Sequence, residues 1–271
     1  AVMAKALMEH LTEMEGKDEL MQMRPVKNIL LVLISSNRGL CGSYNSNLFK
    51  RLTTVLADKK NIARHHGMKG EEISADGEVG LSIIGIGKKS ATFAKKNGYP
   101  LTAVYETISD QKSFDDVLPI ARTLIDDYRK GMYDKVVVAY TDYVSSLTQE
   151  PKIRQLLPLS PVDLQKMLMR LGSDLTERSG VYEYPIEEYI FEPGTEAILH
   201  YILPRLVEVQ LYQAVLESAA SEHSARMLAM RNASDSAGDM IGELQLTFNK
   251  ARQAGITQEI AEIAAGTAAL G

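Results

Sequence analysis

The chain has 271 residues, 45% hydrophobic and 24% charged, which excludes a disordered tail and suggests roughly one or two domains. Lysine and arginine number 30 against 35 acidic residues, a formal charge of −5 with a pI near 5.6, so the footprint of a non-specific nucleic-acid binder is missing. The single cysteine, Cys41, cannot form an internal disulfide or a paired-thiolate zinc site, and suits a reducing compartment.

In chain order, Ala1–Met23 is free of proline and places Val2, Met3, Ala6, Leu7, Leu11 and Met14 at helical spacing. An N-terminal helix over 1–23 is expected. Charged residues interrupt this start, so it is no secretory signal, and the chain opens on Ala1 rather than Met. The longest apolar run, Ile29–Ile34, is far short of the ~18–20 residues that span a bilayer.

Residues 24–194 have the texture of an α/β domain. Ile29–Ser35, Leu81–Ile86 and Lys135–Tyr140 read as strands apolar on both faces, with Thr102–Tyr105 a shorter one. Helical stretches at Asn45–Ala57, Lys88–Asn97 and Phe114–Lys130 separate them, an alternation that predicts right-handed crossovers and a mostly parallel, three-layer domain. Ile186–Phe191, between Pro185 and Pro193, is expected at a sheet edge. Two polar interruptions read as surface insertions: a glycine-rich loop at His65–Gly80, and Ser160–Tyr184 with a short helical piece at Val162–Leu171.

No proline follows Pro204, so residues 195–271 can form one long helix. Alternating steps of three and four from Leu199 reach Ile202, Leu206, Val209, Leu216, Ala220, Met227, Met230, Ala237, Ile241, Leu244, Phe248 and Ala251. Only Gln213, His223 and Ser234 interrupt this apolar list. A period of 3.5 held this long is a coiled-coil seam. Residues 199–251 alone would span ~80 Å at ~1.5 Å per residue, too long to lie within one small domain. The seam therefore needs a partner helix, and 1–14 is too short to cover it. Gly238, Gly242 and Gly255 inside the helix are read as places of close packing.

Motifs for chemistry are weak. Gly85-Ile86-Gly87-Lys88-Lys89-Ser90 opens a helix after a strand, yet Ser82 and Lys89 break the Walker pattern and Ser90 replaces the third glycine of a dinucleotide fingerprint. A plain strand-to-helix turn is the better reading. Cys41, framed by Gly39 and Gly42, lacks any histidine in a recognisable catalytic context. There is no HExxH, CxxC or EF-hand spacing, so no catalytic residue, cofactor site or metal site is assigned. On the residues alone, a nucleotide-binding α/β enzyme and a homodimeric coiled-coil scaffold remain open.

Four stretches resemble one family. The strand-turn Ile29–Asn45 (ILLVLISSNRGLCGSYN), Gln155–Pro158 (QLLP), Glu222–Met230 (EHSARMLAM) and Glu243–Ile263 (ELQLTFNKARQAGITQEIAEI) are similar to the gamma subunit of F-type ATP synthases. The resemblance implies a Rossmann-like domain beside a largely antiparallel coiled coil of the N- and C-terminal helices. It implies a rotor shaft inside the alpha–beta hexamer, with the lower part meeting the epsilon subunit and the membrane c-ring. ATP would be made and hydrolysed in the beta subunits, the shaft itself having no catalytic role and no cofactor. Such a subunit is a peripheral membrane protein on the cytoplasmic side of the bacterial plasma membrane.

By the same resemblance, Arg252 and Gln253, with Thr257 shortly after, match the part of the helix that touches beta-subunit loops. Arg226 matches a contact lower on the shaft. Family members carry a long helix upstream of the position of Ala1, so the start of the N-terminal helix is expected to be lacking here. The two polar interruptions look longer than in compact relatives, and the dithiol of chloroplast-type members cannot form with Cys41 alone.

Overall fold

A computed structural model describes residues 18–58, 62–66, 72–73, 79–106, 108, 113–160 and 194–270. The expected strand at Ile186–Phe191, the helical piece at Val162–Leu171 and residues 1–17 of the N-terminal helix lie outside the described residues. Asp18–Met21 is a turn: Asp18 Oδ1 accepts from Leu20 N–H at 2.8 Å, and Met21 N–H donates to Asp18 O at 3.1 Å.

The main sheet contains β1 (Asn28–Ile34), β4 (Gly80–Ile86), β5 (Leu101–Tyr105), β6 (Lys135–Tyr143) and β7 (Gln149–Leu157), in the order β5-β4-β1-β6-β7. The first four are parallel and β7 closes one edge antiparallel to β6. β7 is a strand that apolar runs do not announce. Glu150, Lys152 and Arg154 alternate with half-buried Pro151, Ile153 and Gln155, the pattern of an edge strand with one wet face. The expected loop at His65–Gly80 also departs from expectation. His65–His66 (β2) pairs antiparallel with Glu72–Ile73 (β3), and Gly80 already belongs to β4.

Among the described residues the helices α1 (Tyr44–Leu56), α2 (Lys88–Lys96) and α3 (Phe114–Arg129) bracket the sheet, and α4 (Thr195–Leu270) begins in the domain. Ser113 caps α3 through a capping box with Asp116, which satisfies two amides the helix cannot pair itself. Pro119 sits near the start of α3 on its exposed side, and Pro204 lies within α4, each removing one helical amide.

Alternation along β1 divides the core. Ile29, Leu31 and Leu33 pack with Leu48, Leu52 and Leu56 of α1 and Phe93 of α2. Leu30, Val32 and Ile34 face the other way, against Ile120 and Leu124 of α3 and Leu203, Val207, Leu211 and Val215 of α4. The expected α/β domain with helices on both sides of the sheet is present, and the first part of α4 supplies one of its layers.

The chain divides into two compact units, 1–225 and 226–271. Within the first, α4 buries Leu203, Val207, Leu211, Ala214, Ser218, Ser221 and Ala225. These lie one residue on from the seam positions along most of their length. Val209 and Leu216 of the seam stay exposed. Leu211→Ala should therefore lower the unfolding free energy of the chain by ~2–5 kcal/mol in urea titrations. Leu216→Ala should change it by no more than about 0.5 kcal/mol. Equal losses would contradict the division into a docked and an open face.

Candidate functional site

The carboxyl ends of the parallel strands are where an α/β sheet takes a ligand, at the point where strand order reverses. Here β1 is flanked by β4 and β6, and the loop after it reaches that point. Asn37 fills it. Its Oδ1 accepts from Lys88 N–H at 3.0 Å, and its Nδ2 donates to Glu106 O at 3.0 Å. Lys89 N–H donates to Ser36 O and Ser90 N–H to Gly87 O. The first amides of α2, which a phosphate would need, are thus committed to protein oxygens.

The glycines are explained by packing. Gly87 has φ +92°, and a Cβ there would run into Ser35 O, while one at Gly85 would meet Ser90 Oγ. Cys41 is buried, packs with Tyr44 and Ala225, and accepts from Asn45 Nδ2 at 3.2 Å. Both turns are structural, as the sequence favours. Among the described residues, no group of three or more His, Cys, Asp or Glu side chains could hold a metal.

The features concentrated on α4 are mechanical. From Ser218 to Ala225 the helix is tied to the domain by side chains small enough to bring backbones close. Tyr44 Oη and Ser218 Oγ share a hydrogen bond of 2.5 Å. Ser221 Oγ donates to Thr141 O at 3.1 Å, and Ser224 Oγ donates to Ser146 O at 2.7 Å. Near the start, His200 Nδ1 lies 3.1 Å from Asp18 Oδ2. Glu208, only 7% exposed, accepts from Arg205 Nη1 at 2.7 Å and lies 3.9 Å from Arg122 Nε. Arg205 also lies over the Phe114 ring, whose edge meets Tyr212.

One cluster was not foreseen. Glu217 of α4 accepts from Gln213 Nε2 one turn earlier at 2.9 Å and interacts with Asp142 and Tyr140 of β6, while Asp142 is paired with Lys152 of β7. No sequence signal foretells it, because its members come from three distant elements.

In the second unit α4 is exposed almost throughout, and at about 1.5 Å per residue this stretch runs roughly 65 Å. The seam residues Ile241, Leu244 and Phe248 are 63%, 63% and 66% exposed. Gly238, Gly242 and Gly255 have open space where a Cβ would be, so packing among the described residues does not account for them. Of the residues singled out by resemblance, Arg226 is half-buried, while Arg252, Gln253 and Thr257 are exposed. Thr257 Oγ1 donates to Gln253 O at 2.8 Å. The three lie within two turns of one helix and form no pocket.

A family model described as ATP synthase matches residues 1–270. The chain is 38% identical over 251 residues to the ATP synthase gamma chain of Dehalococcoides mccartyi, covering 93% of this chain and 76% of that one. It is 40% identical over 260 residues to that of Herpetosiphon aurantiacus, covering 94% and 77%. The chain belongs to the ATP synthase gamma-chain family. Its fold is similar to that of a chain in the rotor of Euglena gracilis mitochondrial ATP synthase, with a TM-score of 0.55, 20% identity and coverage of 88% and 78%. A second structure of the Euglena enzyme, with F1 and c-ring, gives a TM-score of 0.58 at 21% identity, covering 93% and 76%. Among the described residues no helix is long and apolar enough to cross a membrane.

The Glu217 cluster fastens α4 to the sheet near its β7 edge. Burial, then the neighbouring Asp142 carboxyl, raises the pKa of Glu217. Burial pushes Asp142 upward too, but the bonds and charge from Lys152 outweigh it and leave Asp142 below its usual range. Two carboxyl groups can hydrogen-bond to each other only when one holds a proton. A raised glutamate stabilises the fold below its unfolded value and loses that contribution as pH rises through its folded value. A lowered aspartate contributes above its unfolded value and loses it in acid. Glu217→Gln keeps a neutral donor and should flatten the alkaline limb. As pH rises through the raised folded value of Glu217, the wild-type melting temperature should fall relative to the variant. Parallel pH profiles would show that no proton is held there.

Proposed function

We propose that the chain is the central rotor shaft of an F-type ATP synthase, coupling ion-driven rotation of the c-ring to the catalytic cycle of the beta subunits while making no bonds itself. The observation that carries this reading is α4: one stripe is fastened to the chain's own sheet, and the adjacent apolar seam continues exposed beyond Arg226 through Ile241, Leu244 and Phe248. An exposed apolar stripe of this length requires cover. Membership of the gamma-chain family supports cover by a helix of the chain itself and by other subunits of the synthase. The expected N-terminal helix does not extend over 18–23, where Asp18–Met21 is a turn packed into the core; the segment ahead of Asp18, together with any residues preceding it, is the part proposed to pair with the seam as an antiparallel coiled coil. Residues 24–194 form the body that meets epsilon and the c-ring, and 195–271 form the shaft helix inside the alpha–beta hexamer. Bound in this way, the chain is peripheral to the membrane, on the cytoplasmic side of the bacterial plasma membrane.

Arg226, Arg252, Gln253 and Thr257 are assigned to contacts with beta-subunit loops. An arginine fork suits a partner carboxylate, and such a charge-assisted bond contributes about 1.5–3 kcal/mol. The glycines with open space belong to the same reading, because they leave room for surrounding subunits.

The test is purification of the tagged chain from cells carrying the whole operon. One copy should travel with alpha, beta and epsilon subunits. A stable parallel homodimer free of those subunits, seen by sedimentation, would overturn the reading in favour of a scaffold. Arg252→Ala with Gln253→Ala should weaken coupled ATP synthesis about tenfold or more, the effect of ~1.4 kcal/mol, while leaving thermal stability of the isolated chain unchanged. Gly238→Ala with Gly242→Ala should raise helix stability by up to ~1 kcal/mol per site in the isolated chain. In the assembled enzyme the same pair should impair rotation by crowding, so a gain in both measurements would contradict close cover at these positions.

A further inference from the structure

A cavity of about 440 Å³ lies on the α1 side of the sheet, away from the face that receives α4. Val137 of β6 and Ile153 of β7 line it, together with Val55 of α1 and Ile62. Its polar groups are Gln155 and three cations, Arg51, Lys135 and Lys152. Lys152 is neutralised by Asp142. The other two are not neutralised by any carboxylate among the described residues.

Lys135 is the unusual one. It begins β6 and is 5% exposed, and its Nζ donates to Arg64 O at 2.7 Å. An ammonium has three donors, so one carbonyl leaves it short of acceptors and of charge. Burying a cation without a counter-charge is costly, and burial pulls its pKa down to about 8. An apolar side chain would begin the strand at lower cost. Arg51 adds a second cation on the exposed side of α1 at the rim. A concave site with an apolar floor, convergent polar groups and a perturbed titratable residue is a form small-ligand pockets take, and this volume lies in the usual ~300–1,000 Å³ range.

We propose that this cavity binds a small organic anion, a carboxylate or phosphomonoester on a compact apolar body. Its oxyanion would sit between Lys135 and Arg51, and its apolar part against Val137 and Ile153. The site is independent of the rotor reading, since it uses none of the shaft residues.

The test is titration of the full chain with phenyl phosphate and with hexanoate, followed by NMR at backbone and lysine amine signals. Inorganic phosphate and benzyl alcohol serve as controls for charge alone and apolar body alone. The proposal expects saturable binding of both probes, with shifts at Ile62, Val137 and Ile153 and affinity at least tenfold above either control. Lys135→Met should abolish binding. Arg51→Glu changes an exposed residue, so the fold survives, and it should weaken binding at least fivefold. Affinity should fall as pH rises through the Lys135 range. Absence of saturation, equal binding by Arg51→Glu, or shifts confined to another surface would overturn the proposal. The titration is then repeated on the assembled complex. Retained binding supports a small-molecule site, whereas loss of binding there would overturn it, because a neighbouring subunit's carboxylate would then be the occupant.

Discussion

A helix on a sheet needs one apolar stripe, and α4 carries two. Leu203, Val207, Leu211 and Val215 bury against β1, β6 and α3, each contributing ~1.5–3 kcal/mol from burial. The neighbouring stripe, through Val209, Leu216, Met227 and Met230, stays open and is continued by Ile241, Leu244 and Phe248. Apolar surface on that second stripe is a standing cost to the isolated chain, and everything proposed for its function follows from what relieves it.

The first stripe changes character along its length. Near Leu203–Val215 it is greasy and bulky. By Ser218–Ala225 it is small and hydrogen-bonded, with Tyr44, Thr141 and Ser146 as partners. Bulky contacts supply burial energy, while short hydrogen bonds to backbone carbonyls fix position and rotation about the helix axis. A helix that transmits twist needs the second property as much as the first. The Glu217–Asp142–Lys152 cluster adds a charge-sensitive fastening at the same height.

Legibility followed the physics of each element. β1, β4 and β6 are apolar on both faces, so their runs were readable, and α1, α2 and α3 were placed to within a residue or two by 3.6-residue periodicity. β7 escaped because a half-wet edge strand spends every second position on charge, although Pro151 was an edge signal. The seam on α4 was legible because Leu, Ile and Met mark it. The docked stripe was not, because Ser218, Ser221 and Ser224 look polar in sequence yet are buried through hydrogen bonds that only tertiary structure provides. Lys135 gave no warning for the same reason, since a lysine opening a strand is ordinarily solvated. The contacts assigned to Arg252, Gln253 and Thr257 rest on resemblance, because a helix surface without its partner carries no geometry that distinguishes a contact from a solvated charge.

Hydrogen exchange along α4, compared between the isolated chain and the assembled complex, tests the two-stripe account most directly. Amides of Leu203–Ala225 should exchange slowly in both states, and those beyond Arg226 should exchange fast alone and gain strong protection on assembly. Uniformly slow exchange along the whole helix in the isolated chain, or no gain beyond Arg226 in the complex, would contradict it.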